Sequence, residues 1–496
     1  MLKQTKNKII YEENINNLKS KALAYAIPES ISEVQTLIKT NSKITSRGSG
    51  TSFVAGATPN NSLVIDTSKL NHIIDINSGK KTVLVEAGVI LSELNKALEK
   101  YDLEFPVETI FSGIETIGGV LAKNSSGSRE IKYNKVMNWV ASIEIINARG
   151  EVAKVPKSDM SDFVGMEGTT GFIARATLRL TNKKTRTISI LKSSNLSDIF
   201  KANSKLRLNQ YICAIDFLDK DISVLLGLEK KYHLLVEYEN EEGMFKDSQY
   251  YNYFNLKNQA YKKIAGEGYY LVESVKIFQE SIEDFVIYLE ENNIPFFSHL
   301  SSGVFYICFR PEQKEKRIEA LLFTKKLNGK VSYNSGFGKT NKEFIEKSDL
   351  EIIKRVKKRQ DPNFKFNEGV LVDDINLEKS IKQKFKDEQE PQYSESQETK
   401  VEEEQEQQAQ DILNEVQEQE IKEALGEQQE VEEQPEQKEV EEKLIEINRD
   451  EFEEPIIQTV NVLTQKPKTE LSDEEKEKVK KLASGFFGGT PDSEDN

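Results

Sequence analysis

"RGSGTS" (residues 47–52) follows a short strand-like run, "KITS" (43–46). Two glycines flank a serine, with an arginine before them and two hydroxyls after. Glycine serves where backbone must come close to a ligand or take positive φ. Two common phosphate loops are excluded by what is missing. A dinucleotide fingerprint needs a third glycine and then a helix. Here Phe53 takes that glycine's place, and "VAGATPNNS" (54–62) holds Pro59 and turn formers. A Walker loop ends in Gly-Lys-Ser/Thr, which is absent after Gly50. Two readings stay open on this stretch alone: an anion nest made of backbone amides, or a plain structural turn.

Outward from the loop, the chain reads as mixed α and β to about residue 183. "SISEVQTLIKTNS" (30–42) is a short helix with Val34, Leu37 and Ile38 on one face and Ser30 or Ser32 as cap. "SLVIDTSKL" (62–70), "KTVLVEAGV" (81–89) and "GFIARATLRL" (171–180) read as strands, and "ILSELNKALEKY" (90–101) as a helix. "NWVASIEIINARGEV" (138–152) reads as a hairpin. Farther on, strands are expected at 211–218, 232–239 and 303–309, and helices at 281–293 and 313–329. That alternation implies an antiparallel sheet with helices on one face.

The chain carries a formal charge of −15, unevenly spread. Residues 387–460 hold 27 Asp/Glu against 5 Lys/Arg. The body before them is mildly basic, and its charge speaks to solubility and partners rather than to fold. The Glu/Gln-rich tail is expected to be disordered, with transient helix as the alternative. Ser472 and Glu475 make a capping box for a short helix at 472–484, and "FFGG" (486–489) is an apolar tip that reads as a frayed, solvent-exposed end, with docking to a protein partner as the alternative. The two cysteines, Cys213 and Cys308, cannot supply an iron–sulfur cluster. No signal peptide, membrane span or nucleic-acid partner is expected, so the expected location is cytoplasmic.

Two more glycine clusters accompany the first: "TIGGVLAKNSSGSREIKY" (116–133) and "GMEGTTGFI" (165–173). With "VEAGV" and Pro106, they occur in an order that resembles FAD-binding domains of the PCMH, or vanillyl-alcohol oxidase, type. Over residues ~25–182 the chain is similar to the FAD-linked D-2-hydroxyacid dehydrogenases, which include D-lactate dehydrogenase and the large glycolate oxidase subunit. The similarity is weaker to residue 371 and ends before the tail. It implies an α+β protein: a two-subdomain FAD-binding domain over 1–183, an α+β cap with antiparallel sheet over 184–372, and the tail over 373–496. It implies that Arg47, Gly48, Ser49, Gly50, Thr51 and Ser52 cradle the pyrophosphate. Thr116, Ile117, Gly118 and Gly119 would lie along the flavin and ribityl chain, with Asn124 and Gly127 nearby. Glu167, Gly168, Thr169, Gly171 and Ile173 would close on the adenine or ribose side. Relatives that attach FAD through the first loop have histidine there. This chain has Ser49 and Thr51, so FAD is expected to be non-covalent. Where the family often has Tyr-Gly, this chain has Tyr133-Asn134, and asparagine is expected to take the αL turn.

The substrate half departs from the family. Its metal-binding His-x-Gly-Asp-Gly-Asn-x-His stretch corresponds to "HLSSGVFY" (299–306), so His299 remains and Tyr306 replaces the second histidine. The later Glu-His-Gly-x-Gly, with a metal ligand and a catalytic base, corresponds to "NSGFG" (334–338). Serine at 335 has no useful basicity near neutral pH, and a lone His299 is a poor metal site. No metal is expected, and the catalytic residue stays unassigned. Tyr306, Tyr333 and Lys339 are candidates to line the pocket. His72 is expected at the surface and His233 in a structural role. "DPNFKFNEG" (361–369) resembles the family's closing segment and puts the end of the folded body near 372. The function implied is FAD-dependent oxidation of a small hydroxy acid or related alcohol by hydride transfer, with electrons passed to an external acceptor or partner subunit. The alternatives are a flavin-binding subunit without its own chemistry and a scaffold that has lost the flavin.

Overall fold

The computed structural model describes residues 9–12, 20–239 and 242–373. The acidic tail, the 472–484 helix and "FFGG" lie outside the described residues.

Three sheets carry the fold. The first is parallel: Lys21–Ala26 (β1), Ile44–Arg47 (β2) and Asn60–Asp66 (β3), in the order β1-β3-β2. Helix Ile31–Thr40 (α1) crosses between β1 and β2. The Ser30 hydroxyl accepts from the Glu33 amide at its N-terminus, and Val34 and Ile38 are fully buried. The second sheet is antiparallel: Ile73–Asn77 (β4), Thr82–Glu86 (β5), Val140–Ile146 (β6), Val152–Val155 (β7) and Phe172–Arg179 (β8), in the order β4-β5-β8-β6-β7. Helix Leu91–Leu98 (α2) buries Leu91, Leu94 and Leu98 in this sheet's core.

The third sheet has seven antiparallel strands: Thr187–Ser193 (β9), Ile212–Leu218 (β10), Tyr232–Tyr238 (β11), Leu271–Lys276 (β12), Phe296–His299 (β13), Val304–Phe309 (β14) and Lys330–Val331 (β15). Their order is β9-β11-β10-β13-β14-β12-β15. Side chains alternate between the faces of a strand. One face carries Phe217, Phe296 and Phe305, and Phe305 packs edge-on against Phe285 of helix Ile282–Glu291. The opposite face is polar at its centre. Antiparallel register puts Asp216 opposite His299, Phe297 opposite Tyr306, and Ser274 opposite Tyr306. This face meets the loops of the N-terminal region. Arg129 there makes a bidentate pair with Glu237 of β11 (2.7 and 2.9 Å).

The chain then returns to its start. After helix Lys347–Gln360, the Ile44 amide donates to the Lys365 carbonyl, and the Asn367 amide donates to the Ile44 carbonyl (both 2.8 Å). Phe366 is fully buried beside Val34, Ile38 and Ile65. The Asp-Pro-Asn segment therefore closes onto the sheet that carries "RGSGTS".

Two local expectations are corrected. "TIGGVLAKN" is not simply a loop: Ile117–Lys123 is helical (α3). The Thr116 hydroxyl accepts the Gly119 amide at one end, and Asn124 takes αL (φ 49, ψ 50) at the other. Asn134 has positive φ, but its ψ of −157° lies outside αL.

Candidate active site

Strand β2 ends at Arg47 and opens the first loop at the edge of the parallel sheet. The loop meets the N-terminus of α3 closely. A Cβ on Gly48 would lie 2.2 Å from the Thr116 hydroxyl, and Gly50 has φ +71°. Residues 167–173 complete the walls of a cleft of about 760 Å³, including its open mouth. Among the described residues, the amides of Gly48, Ser49, Gly50 and Thr51 have no hydrogen-bond acceptor. Consecutive unpaired amides make a concavity for an anion. Arg47 and Lys123 bring cations to the lining, and Glu115 and Glu167 bring carboxylates.

Most of the residues that sequence singles out line this cleft. They are Arg47 to Ser52, Thr116, Gly118, Gly119, Glu167, Gly168, Gly171 and Ile173. Four do not. Ile117 is buried in the core. Asn124 caps α3 and accepts from the Met137 amide. Thr169 is buried and donates to the Met166 carbonyl. Gly127 packs against another loop, where a Cβ would sit 1.2 Å from the Glu108 carbonyl oxygen. Glu167 is a wall residue whose carboxylate is spent elsewhere: it accepts the amides of Phe337 (2.7 Å) and Gly338 (2.9 Å). Burial pushes its pKa up to about 7 against those two bonds. The amides of Ile117 and Gly118 serve the Val89 and Ala87 carbonyls, so α3 offers the cleft small residues rather than donors.

The cleft's acidic and basic floor was not foreseen. Glu115 is nearly inaccessible, pairs with Lys123 at 2.5 Å and receives hydrogen bonds from Thr51 and Thr109. Two small neighbouring cavities adjoin this pair. One shares Glu115 and Lys123 with the cleft and reaches Ser126, Tyr306, Asn334 and Ser335. The other shares Thr109 and Ile110 with the first and reaches Asp216 and His299.

The residues standing at the family's metal and base positions are therefore together. Asn334 donates to the Tyr306 phenol oxygen (3.2 Å) and accepts from the Ser126 hydroxyl (2.8 Å). The Ser335 and Ser274 hydroxyls pair at 3.0 Å. Burial raises the Tyr306 phenol well above its ordinary pKa. His299 stands edge-on to Tyr306 and pairs with Asp216 at 2.6 Å. Two neutral side chains and one histidine do not make a divalent-metal donor set. Among the described residues no group of three His, Cys, Asp or Glu side chains could hold one. Of the other candidates, Tyr333 turns to Glu130 (2.8 Å) and Lys339 lines none of these spaces. His72 is exposed beside Glu86, and His233 is buried between the Ser223 hydroxyl and the Lys231 carbonyl.

Comparison with known proteins agrees with this geometry. Residues 22–156 match the FAD binding domain family. A D-2-hydroxyglutarate dehydrogenase of Stutzerimonas stutzeri is 24% identical over 419 residues, 70% of this chain and 90% of that protein. A D-2-hydroxyglutarate dehydrogenase of Xanthomonas citri is 34% identical over 174 residues, 32% of this chain and 37% of that protein. The glycolate oxidase subunit GlcD of Bacillus subtilis is 32% identical over 150 residues, 28% of this chain and 32% of that protein. The first is matched over most of its length, the other two over about a third. Residues 22–156 are thus similar to FAD binding domains, and the first two glycine clusters lie within the match.

Proposed function

We propose that this chain is an FAD-dependent oxidoreductase that oxidises a small 2-hydroxy acid or related alcohol and passes the electrons to an external acceptor. The observation that carries the proposal is adjacency: the glycine-walled cleft shares Glu115 and Lys123 with a second cavity that reaches Tyr306, Asn334 and Ser335 beside the seven-stranded sheet. In this reading residues 1–183 bind FAD, residues 184–372 cap it, and the acidic tail after 372 is the segment available to a partner. Bound FAD supplies a two-electron oxidant that accepts hydride at N5.

The chain's own residues do the rest. The free amides of Gly48 to Thr51 and the guanidinium of Arg47 hold the pyrophosphate, since backbone donors can meet a buried dianion without long side chains. Among the described residues no histidine or cysteine lines the cleft, which supports non-covalent binding. The third sheet and the loops at 108–111 and 125–128 line the two cavities next to the cleft. Gly48→Ala is expected to weaken FAD binding at least tenfold, because its Cβ collides with Thr116. Fluorescence titration with FAD reads this directly; unchanged affinity would remove the loop from the site. The function itself is tested by anaerobic addition of D-2-hydroxyglutarate, D-lactate and glycolate to the FAD-loaded chain. At least one should bleach the visible flavin bands.

A further inference from the structure

The cavity under the seven-stranded sheet holds a base that the family resemblance does not supply. We propose that His299, held by Asp216, is the catalytic residue that takes the proton of the substrate hydroxyl. The inference deepens the oxidoreductase reading above and rests on it.

Strand register sets the pair. Asp216 and His299 are directly opposite on adjacent antiparallel strands, and Nδ1 of His299 lies 2.6 Å from the carboxylate. The carboxylate can only accept, so Nδ1 carries a hydrogen, and in the neutral ring Nε2 is then the acceptor. That Nε2 is buried and has no hydrogen-bond partner. Buried polar atoms are nearly always paired, so an orphan acceptor at a cavity wall marks the place of a donor from outside the chain. The same lining holds Glu108, Thr109 and Ser128 as polar neighbours. The obvious competitor is already engaged: the Ser335 hydroxyl is paired with Ser274, and serine is no base near neutral pH.

In the step proposed, the substrate O–H bond breaks and its proton goes to Nε2. The adjacent C–H bond breaks with its electron pair, and the hydride goes to FAD, which is reduced as the substrate is oxidised. A C=O bond forms, and the new imidazolium is held by the Asp216 carboxylate. Asp216 is a positioning residue that fixes the tautomer and the ring.

The test uses the full-length, FAD-loaded protein and single-turnover bleaching by D-2-hydroxyglutarate, D-lactate and glycolate. His299→Gln should slow bleaching about 100-fold or more and leave FAD affinity unchanged. Free imidazole should restore part of the rate to His299→Gly. Asp216→Asn should slow bleaching without becoming responsive to imidazole. A readout independent of turnover comes from 15N-histidine labelling, because the chain has three histidines. The signal that disappears in His299→Gln should move when 2-oxoglutarate, pyruvate or glyoxylate is added to the oxidised wild-type protein, and the His233 signal should not. Equal bleaching rates in wild type and His299→Gln overturn this proposal and leave the oxidoreductase reading intact. A slow variant without imidazole rescue, together with a still His299 signal, assigns the residue a structural role and also overturns it. Wild-type protein bleached by none of the three compounds fails the oxidoreductase reading, and the proposal falls with it.

Discussion

Single residues in this chain hold conformations and charges that cost energy. Asn134 is exposed, with φ 57° and ψ −157°, a region that glycine enters cheaply and other residues do not. Its amide bond to the Glu130 carbonyl survives in any residue but proline. Asn134→Gly is therefore expected to stabilise the protein by about 1 kcal/mol, read as a higher denaturant midpoint with unchanged slope. Glu167 gives a pH dependence. Its pKa is raised to about 7 in the fold. Folding thus favours its protonated form, and its contribution is present below the ordinary carboxylate pKa and lost as pH rises through about 7. Relative to Glu167→Gln, the FAD-free wild type should lose roughly 3 kcal/mol between pH 4.5 and 7. Unfolding titrations across that range check it, and a flat difference would refute the buried-acid account. Asp219, raised to about 8 by burial, titrates in the same direction.

Elements join through buried charge rather than apolar contact alone. Arg129, within the second glycine cluster, pairs with Glu237 near the end of β11, and Tyr250 donates to the same carboxylate. Removing one partner strands a charge in a dry interface. Arg129→Met is expected to cost about 3–5 kcal/mol and to loosen the sheet from the FAD-binding region. Adding Glu237→Gln should recover part of the loss, and a double-mutant cycle in urea measures the coupling. The same scale shows what was legible in the sequence. Glycine loops are local: "RGSGTS" and "GMEGTTGF" had to be turns, because the backbone they need is printed in their composition. The α3 helix was hidden, because Gly118-Gly119 argues against a helix and only the Thr116 cap and packing on Ala87 override it. The 20-residue helix Asp247–Gly266 was missed for a related reason: its Tyr- and Asn-rich sequence has weak propensity, and its place comes from contacts such as Tyr261 on Phe53 and Phe111. The Asp216–His299 pair could not be read at all, because it depends on register between residues 83 positions apart.

At the scale of the whole molecule, the chain ends its described part where it begins. Residues 361–372 return to β2, so the loop that opens the cleft and the segment that closes the fold stabilise one another. Asn367 shows the economy of this arrangement: its side chain serves the Ser46 amide and the Gly56 and Glu167 carbonyls, all at or beside the cleft. Two cleft walls are thereby tied to a residue 200 to 321 positions away. In the function proposed above, this assembled cleft holds FAD and delivers a hydroxylated substrate to it. The most direct measurement is the visible spectrum of the full-length protein with FAD, before and after anaerobic addition of D-2-hydroxyglutarate, D-lactate or glycolate. The expected result is a set of protein-bound oxidised-flavin bands that one of these compounds bleaches. A protein that takes up no FAD, or bound flavin that none of the three reduces, would contradict it.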